Sequence, residues 1–165
     1  MSDGSSILLE SARTYLARGY AVIPVPARKK IPVLKGWTDL RLSESDLPSY
    51  FNGTGNIGVL LGEPSGWLVD VDLDCEEAVA LAPKFLPPTG AMSGRPGKPA
   101  SHWWYVCEGI KTRKHQDPVS KKMIVELRST GAQTVVGPSI HPSGEPYDPL
   151  DGEPAVVDAG ELAAT

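Results

Sequence analysis

Cysteine is nearly absent from this sequence: among 165 residues there are two, Cys75 and Cys107. A structural zinc site needs four closely placed Cys or His ligands, and these two cysteines form no CxxC pair. We therefore expect no zinc. So few cysteines also favour a reduced, intracellular setting.

Long apolar runs are absent too. A membrane-spanning helix needs about 20 consecutive apolar residues, whereas the first apolar stretch covers only residues 7–9. That stretch follows a polar and acidic start, which is not typical of a signal peptide. We therefore expect a cytoplasmic protein with no membrane contact.

Positive charge is not in excess. The sequence has 16 Lys and Arg residues against 20 Asp and Glu residues, and its net charge is −4 at pH 7. Strong non-specific DNA binding depends on neutralising many phosphates, so the surface as a whole is not suited to it. Local basic patches remain compatible with this composition.

The remaining composition is that of a globular domain. Hydrophobic residues make up 41% and charged residues 22% of the sequence, which is sufficient for a core. The 16 Pro and 17 Gly residues predict many turns and loops rather than long helices. We predict one domain over residues 1–147 and an acidic, Pro- and Ala-rich tail or linker over residues 148–165.

An apolar segment with three aspartates at alternate positions is the most informative part of the sequence. Residues 67–73 favour a strand, and side chains in a strand alternate between two faces, so Asp70 and Asp72 share a face. Two neighbouring carboxylates repel each other, and a divalent cation between them removes the repulsion. Oxygen ligands suit Mg²⁺ or Mn²⁺. We predict a metal-dependent site for phosphoryl or nucleotidyl transfer.

The third aspartate, Asp74, is interpreted differently. With the two glutamates that follow, it forms a capping-box pattern for a helix at residues 76–81. We therefore assign it to capping first and to metal second. The three aspartates do not form a helix–loop–helix calcium site, because Cys75 stands where the turn glycine belongs and Leu81 where the bidentate glutamate belongs.

Two other strands supply candidates for the same site. Glu126 lies in an apolar strand at residues 123–127, and the metal pair would give its charge a partner. Arg128 then either reaches a phosphate or neutralises Glu126. His102 begins a strand at residues 100–107, directly after an irregular cationic loop, and a structural role and a phosphate-binding role both remain open.

Basic residues concentrate in two segments, residues 28–35 and 109–122, which are either solvated loops or DNA-facing patches.

Two turns predict β-hairpins. The first turn joins a strand at residues 56–61 to the aspartate-bearing strand, and the second follows the strand that contains Glu126. A helix is predicted at residues 7–18.

In their order along the chain, these motifs resemble the bifunctional primase–polymerase (prim–pol) domain of the archaeo-eukaryotic primase superfamily, as in plasmid and phage replication proteins. Residues 69–74 resemble the paired-acid first motif of that family, and residues 101–105 resemble its histidine motif. Residues 125–144 resemble its third acidic motif with the Pro-Ser-x-His-Pro-Ser-Gly stretch that follows. Two amino-terminal segments also fit, so the resemblance spans residues 7–147.

This resemblance implies an α/β (α+β) fold, in which an RRM-like mixed or antiparallel sheet carries the acidic site beside a smaller amino-terminal α/β part. The implied activity is template-directed DNA polymerisation or priming, in which two Mg²⁺ or Mn²⁺ ions assist nucleotide transfer from a (deoxy)nucleoside triphosphate to a primer 3′-hydroxyl. Because no helical accessory domain is evident, we expect primer extension rather than de novo priming.

The implied partners are a DNA template and primer, nucleoside triphosphates, and a helicase of the same replication system. We expect a monomer in the cytoplasm of a prokaryote, associated with a plasmid or a phage.

The residue patterns and the resemblance together give the candidate site residues. The expected metal ligands are Asp70, Asp72 and Glu126, and the catalytic set is these three with His102. The expected nucleotide-binding residues are Ser101, His102, Arg95, Arg128 and His141. The expected DNA-binding residues are Lys29, Lys30, Lys35, Lys111, Arg113, Lys114 and Lys121.

Two other classes of protein remain as alternatives. A haloacid-dehalogenase-like phosphatase also opens with an apolar strand ending in Asp-x-Asp, but it needs a doubly wound sheet, and the strand–helix alternation here is too irregular. A non-catalytic RRM-like module would bind nucleic acid by stacking bases on Trp103, Trp104 and Tyr105, although a strand places at most two of them on one face.

Overall fold

The structure is a computed structural model that describes residues 3–165, so residues 1 and 2 of the predicted domain lie outside the described part. The helices are α1 (Asp3–Ala17), α2 (Leu47–Tyr50), α3 (Glu76–Phe85) and α4 (Ala159–Ala163). None of these described helices is both long and apolar enough to cross a membrane. The strands are β1 (Val22–Val25), β2 (Asn56–Leu60), β3 (Leu68–Leu73), β4 (Met92–Arg95), β5 (Lys98–Val106), β6 (Arg113–Gln116), β7 (Met123–Arg128), β8 (Gln133–Val136) and β9 (Ala155–Val156).

The strands form two sheets. The first sheet has the order β1–β2–β8, and its pairs are antiparallel. The second has the order β4–β5–β3–β7–β6, also antiparallel, and β9 adds a parallel pair to β5. Helices and antiparallel sheets therefore occur together, which confirms the predicted α/β (α+β) class.

Each sheet packs against an apolar cluster, and a third, smaller cluster of Ala21, Ile23 and Leu60 also lies on the first sheet. α1 packs on the first sheet through Ala12 and Tyr15, which are three residues apart and so lie on one face of the helix. Behind the second sheet, Val69 and Val71 of β3 pack with apolar residues of α3 and α4. Because side chains alternate along a strand, the opposite face of β3 carries its aspartates, as the sequence predicts.

Both predicted hairpins are wrong, because the chain changes sheets at each turn. β2 belongs to the first sheet and β3 to the second, and a single bridge joins Gly62 to Leu68 between them. β7 and β8 are divided between the sheets in the same way. The two crossings contact each other, since Glu63 N donates a hydrogen bond to Thr130 Oγ1 at 3.1 Å. A turn sequence shows where the chain reverses, but it does not show whether the two flanking strands pair with each other. The turn patterns alone therefore predicted the wrong pairing.

The carboxyl-terminal residues are part of the fold rather than the tail or linker predicted over residues 148–165. Leu150 is 1% exposed in the core under the first sheet. β9 pairs with β5, and Leu162 of α4 is buried behind the second sheet. The composition of this segment concealed its packing because the apolar residues that anchor it are few and widely spaced.

Candidate active site

Strand β3 carries its aspartates from the interior of the molecule towards the surface. Asp70 and Asp72 lie in the strand, and Asp74 follows it directly. The side chain of Asp70 is fully buried, that of Asp72 is 17% exposed and that of Asp74 is 29% exposed. Position along the strand therefore decides which carboxylates a ligand can reach from solvent.

Three carboxylates meet at the open end of this strand. Asp72, Asp74 and Glu126 each offer an oxygen, and these oxygens lie within 4.8 Å of one another. The pairing of β3 with β7 sets Asp72 opposite Glu126, and opposite residues of an antiparallel pair point to the same face. The structure thus joins two of the three predicted metal ligands and adds Asp74 to them. We call these three residues the acidic cluster.

Asp74 does not cap helix α3, so the capping prediction is wrong. The N-cap residue of α3 is Cys75, and no side chain makes a capping hydrogen bond there. Cys75 is extended, at φ −135° and ψ 161°, and Asp74 lies one residue before this cap, outside the helix. Its carboxylate lies 3.7 Å from Lys98 Nζ instead.

Asp70, the remaining predicted metal ligand, lies behind the acidic cluster. Its Oδ2 accepts a hydrogen bond from Thr134 Oγ1 at 2.7 Å, and His102 Nδ1 lies 2.9 Å from the same oxygen. Thr134 belongs to β8 of the first sheet. Protein groups therefore bind Asp70, and the carboxylates that lie together at the open end are those of the acidic cluster.

The negative charge of Asp72, in the middle of the acidic cluster, lacks full compensation. Burial raises the pKa of Asp72 to about 6; His102 opposes this rise, whereas Asp70 and Asp74 add to it. A raised carboxyl pKa means that the ionised form is insufficiently stabilised. A divalent cation would supply that stabilisation, and three carboxylate oxygens are a donor set that suits Mg²⁺ or Mn²⁺. The residues present therefore fit a metal site.

A cavity of about 260 Å³ includes the acidic cluster in its lining. All five predicted nucleotide-binding residues line the same cavity, namely Ser101, His102, Arg95, Arg128 and His141. Lys30 and Lys98 add two further cations to it. The cavity thus combines carboxylates that fit a metal with cations that fit phosphate oxygens.

His102 faces this cavity with two acids beside its Nδ1 atom. The distances from Nδ1 are 2.9 Å to Asp70 Oδ2 and 3.6 Å to Asp72 Oδ1. Burial acts to lower the pKa of His102, but the charge of Asp70 and its hydrogen bond outweigh burial, and the pKa is raised. The site therefore favours a protonated ring.

One carboxylate fixes two loops at the cavity. Glu145 forms an ion pair with Arg95 and accepts hydrogen bonds from Gly97 N and Ser143 Oγ. Ser143 N in turn donates to His141 Nδ1 at 3.0 Å. Burial and neighbouring cations, Arg95 first among them, lower the pKa of His141. These contacts favour a neutral His141 that carries its proton on Nε2.

The first basic segment lies at the same cavity. The carbonyl oxygen of Lys29 accepts from Asn56 Nδ2 at 3.1 Å, and that of Lys30 accepts from Gln133 Nε2 at 2.8 Å. Polar side chains of the first sheet therefore hold the backbone of this segment, while Lys29, Lys30 and Lys35 keep exposed side chains. Of the predicted DNA contacts, Lys30 thus lines the cavity of the acidic cluster, and Lys29 precedes it on the same anchored segment.

The second basic segment is divided between the two faces of the second sheet. Lys114 lies opposite Glu126 and so shares the face of the acidic cluster. Arg113, one residue earlier, faces the other way and lines an apolar cavity behind the sheet. Lys111 and Lys121 are exposed outside the strand. Lys114 therefore faces the side of the acids, and Arg113 faces away from them.

Thr134, Glu145 and Tyr147 also reach the site and were not predicted. Thr134 gives no sequence signal, because threonine is ordinary in a strand and only the packing of the two sheets sets it on Asp70. Glu145 gives a weak sequence signal. It is a single acid directly after the Pro-Ser-Gly stretch, and the cationic loop that carries Arg95 needs an acidic partner. Tyr147 lines the cavity, and nothing in the sequence around it predicts this position.

Fold and cavity together define an α+β domain whose sheet presents three carboxylates, in a geometry that fits a metal ion, to a cavity lined by cations. The sequence profile of the family described as bifunctional DNA primase/polymerase, N-terminal, matches residues 12–163. The chain belongs to that family, which confirms the resemblance of the motifs and supports a role in DNA priming or polymerisation. A search of curated protein sequences finds no match to this chain.

The raised pKa of Asp72 predicts how stability depends on pH without metal. Folded Asp72 keeps its proton up to about pH 6, whereas the unfolded chain releases it near the ordinary value of 3.8. The folded state then binds more protons between these pH values, so its free energy of unfolding falls as pH rises through them. Asp72→Asn removes this loss, and we expect it to be more stable than the wild type above pH 6, by on the order of 3 kcal/mol.

Denaturant unfolding of both proteins in chelator, at pH 4 and at pH 7.5, checks this expectation. The advantage of Asp72→Asn should be present at pH 7.5 and absent at pH 4. Asp39→Asn, at an exposed position, is the matched control and should show no such change. An equal difference at both pH values would contradict the account.

Proposed function

We propose that this domain is a template-directed nucleotidyltransferase that extends a primer on a DNA template with the help of two Mg²⁺ or Mn²⁺ ions. The observation that carries the proposal is the acidic cluster, which shares one cavity with Lys, Arg and His side chains. Family membership supports the same activity. The proposed reaction joins the primer 3′-oxygen to the α-phosphorus of a nucleoside triphosphate and releases pyrophosphate.

The acidic cluster would hold the metal ions. When bound, these ions lower the pKa of the primer hydroxyl and neutralise charge on the triphosphate. The cations of the chain bind the phosphates: Arg95 is fixed by Glu145, and Lys98 is held near Asp74. Preorganised donors of this kind stabilise developing negative charge without having to reorient.

A protonated His102 would donate from its ring to the triphosphate. Its Nδ1 is engaged by Asp70, so Nε2 is the nitrogen left for a ligand in the cavity. His102 thus acts on the nucleotide rather than on the metal ions.

The buried aromatic residues of β5 argue against a module that binds nucleic acid by stacking. Trp103, Trp104 and Tyr105 are each at most 8% exposed, so none offers a free ring face to a base. The antiparallel order of the second sheet likewise differs from the doubly wound sheet that the phosphatase alternative requires. The polymerase proposal therefore has more support than either alternative.

The biological setting is proposed from the family resemblance alone. We place the domain in the cytoplasm of a prokaryote, in a plasmid or phage replication system, acting as a monomer. A helicase of that system would supply single-stranded template.

Primer extension tests the proposed activity. We expect incorporation on a primed template with Mg²⁺ or Mn²⁺, and Asp72→Asn or Glu126→Gln should lower its rate by at least roughly 10²-fold, because each removes a charged ligand from the site. Runs with ribo- and deoxynucleotides, with and without a primer, define the substrate. Glu108→Gln, at an exposed position on a turn, is the control and should keep full activity. Wild-type rates in both cluster variants would refute the proposal.

Salt dependence tests the DNA contacts of the first basic segment. If Lys29 and Lys30 each bind one phosphate of a single strand, replacing both with alanine should reduce the slope of log affinity against log salt by roughly 1.4, at about 0.7 per contact. Fluorescence anisotropy with a labelled template measures this slope. Lys84→Ala, on α3 behind the second sheet, is the control, and an unchanged slope in the double variant would exclude the segment from the interface.

A further inference from the structure

Ile31 is an exposed aliphatic residue in the wall of the cavity that holds the acidic cluster. It is 73% exposed and lines the same cavity as the carboxylates and the cations. A single exposed isoleucine is ordinary on a protein surface. Beside a site for metal and phosphate it needs another explanation, because neither of these ligands is stabilised by an aliphatic side chain.

A nucleoside triphosphate consists of two chemically distinct parts. Its phosphates carry the charge that the cations of the cavity fit, whereas its base is a planar ring with two largely apolar faces. Proteins that hold a single base pack an aromatic or apolar side chain against such a face. The acidic cluster and the cations provide for the phosphates but not for the base.

Among the described residues of the cavity wall, Ile31 is the most exposed apolar side chain. The other aliphatic residue of the wall, Val135, is only 6% exposed. Tyr147 is partly buried, and its ring packs edge-on against His141 with the ring centroids 5.6 Å apart. A base in this cavity therefore finds its free apolar surface at Ile31.

The backbone around Ile31 is held on both sides. Before it, the carbonyl oxygen of Lys30 accepts a hydrogen bond from Gln133 Nε2 at 2.8 Å, and Gln133 is itself buried. After it, Pro32 is buried, and a proline restricts the residue before it to extended conformations. Gly58 leaves room for this arrangement, since a Cβ there would lie 2.6 Å from Gln133 Oε1. A fixed backbone thus presents Ile31 to the cavity.

We propose that Ile31 is a contact residue for the base of an incoming nucleoside triphosphate, whose phosphates bind the cations of the same cavity. The identity of this ligand rests on the proposed polymerase function. Contact with an aliphatic side chain is not directional, so Ile31 supports each of the bases, and the choice among them is left to the template.

Binding of deoxyadenosine triphosphate in Mn²⁺ without DNA, compared with binding of inorganic tripolyphosphate, tests the contact. Tripolyphosphate has three linked phosphates but no base. Ile31→Ala removes apolar surface and should lower the affinity for the nucleotide by roughly fivefold, with the affinity for tripolyphosphate unchanged. Ile31→Trp offers a larger face for stacking and should raise the affinity for the nucleotide alone. Isothermal titration calorimetry measures both affinities.

Val33→Ala is the matched control, because Val33 is 79% exposed on the same segment and lies outside the residues that line the cavity. It should bind both ligands as the wild type does. Because Ile31 and Val33 are exposed, the three variants should also keep the wild-type melting temperature. An unchanged nucleotide affinity in Ile31→Ala, an equal loss for tripolyphosphate, or an equal loss in Val33→Ala would overturn the proposal.

Primer extension separates failure of this inference from failure of the polymerase proposal. If the wild type extends no primer, the polymerase proposal fails, but a nucleotide affinity that depends on Ile31 still establishes the base contact. If the wild type extends primers and Ile31→Ala binds the nucleotide normally, the base contact fails and the polymerase proposal stands. Slower extension by Ile31→Ala with unchanged nucleotide affinity would assign the side chain to the DNA and would likewise overturn the contact.

Discussion

Burial and mutual repulsion of carboxylates held close together on one sheet are the constraint on which the rest of the site depends. Strand pairing fixes Asp72 opposite Glu126, and the extended chain after β3 brings Asp74 beside them. The fold cannot relieve this repulsion without breaking the register of the sheet. Compensation must come from cations. The protein supplies His102 beside Asp72 and Lys98 beside Asp74, and a divalent metal fits the open side.

The contact between the two sheets decides which aspartates a metal can reach. The chain crosses between the sheets after β2 and again after β7, and the crossings contact each other at Glu63 and Thr130. This brings β8 against the inner end of β3, where Thr134 binds Asp70. The inner aspartate is therefore buried against protein groups, whereas Asp72 and Asp74 are partly exposed to solvent.

Local rules predicted much of the site. Alternation along a strand correctly placed Asp70 and Asp72 on one face, and the need of Glu126 for a partner correctly linked it to them. The sequence could not show that Asp74 lies with Asp72 and Glu126 at the open end while Asp70 lies behind them, since burial at the two ends of β3 depends on a strand more than 60 residues away. The wrong predictions of two hairpins and of a tail over residues 148–165 have the same cause. Strand pairing and packing between distant parts of the chain cannot be read from any single segment.

A crystal structure with Mn²⁺ and a non-hydrolysable deoxynucleoside triphosphate tests the central claim most directly. Anomalous scattering locates manganese independently of the protein. Manganese is expected at the acidic cluster of Asp72, Asp74 and Glu126, with the triphosphate against Arg95 and His102. A nucleotide in the cavity without manganese at these acids, or manganese bound elsewhere, would contradict the account.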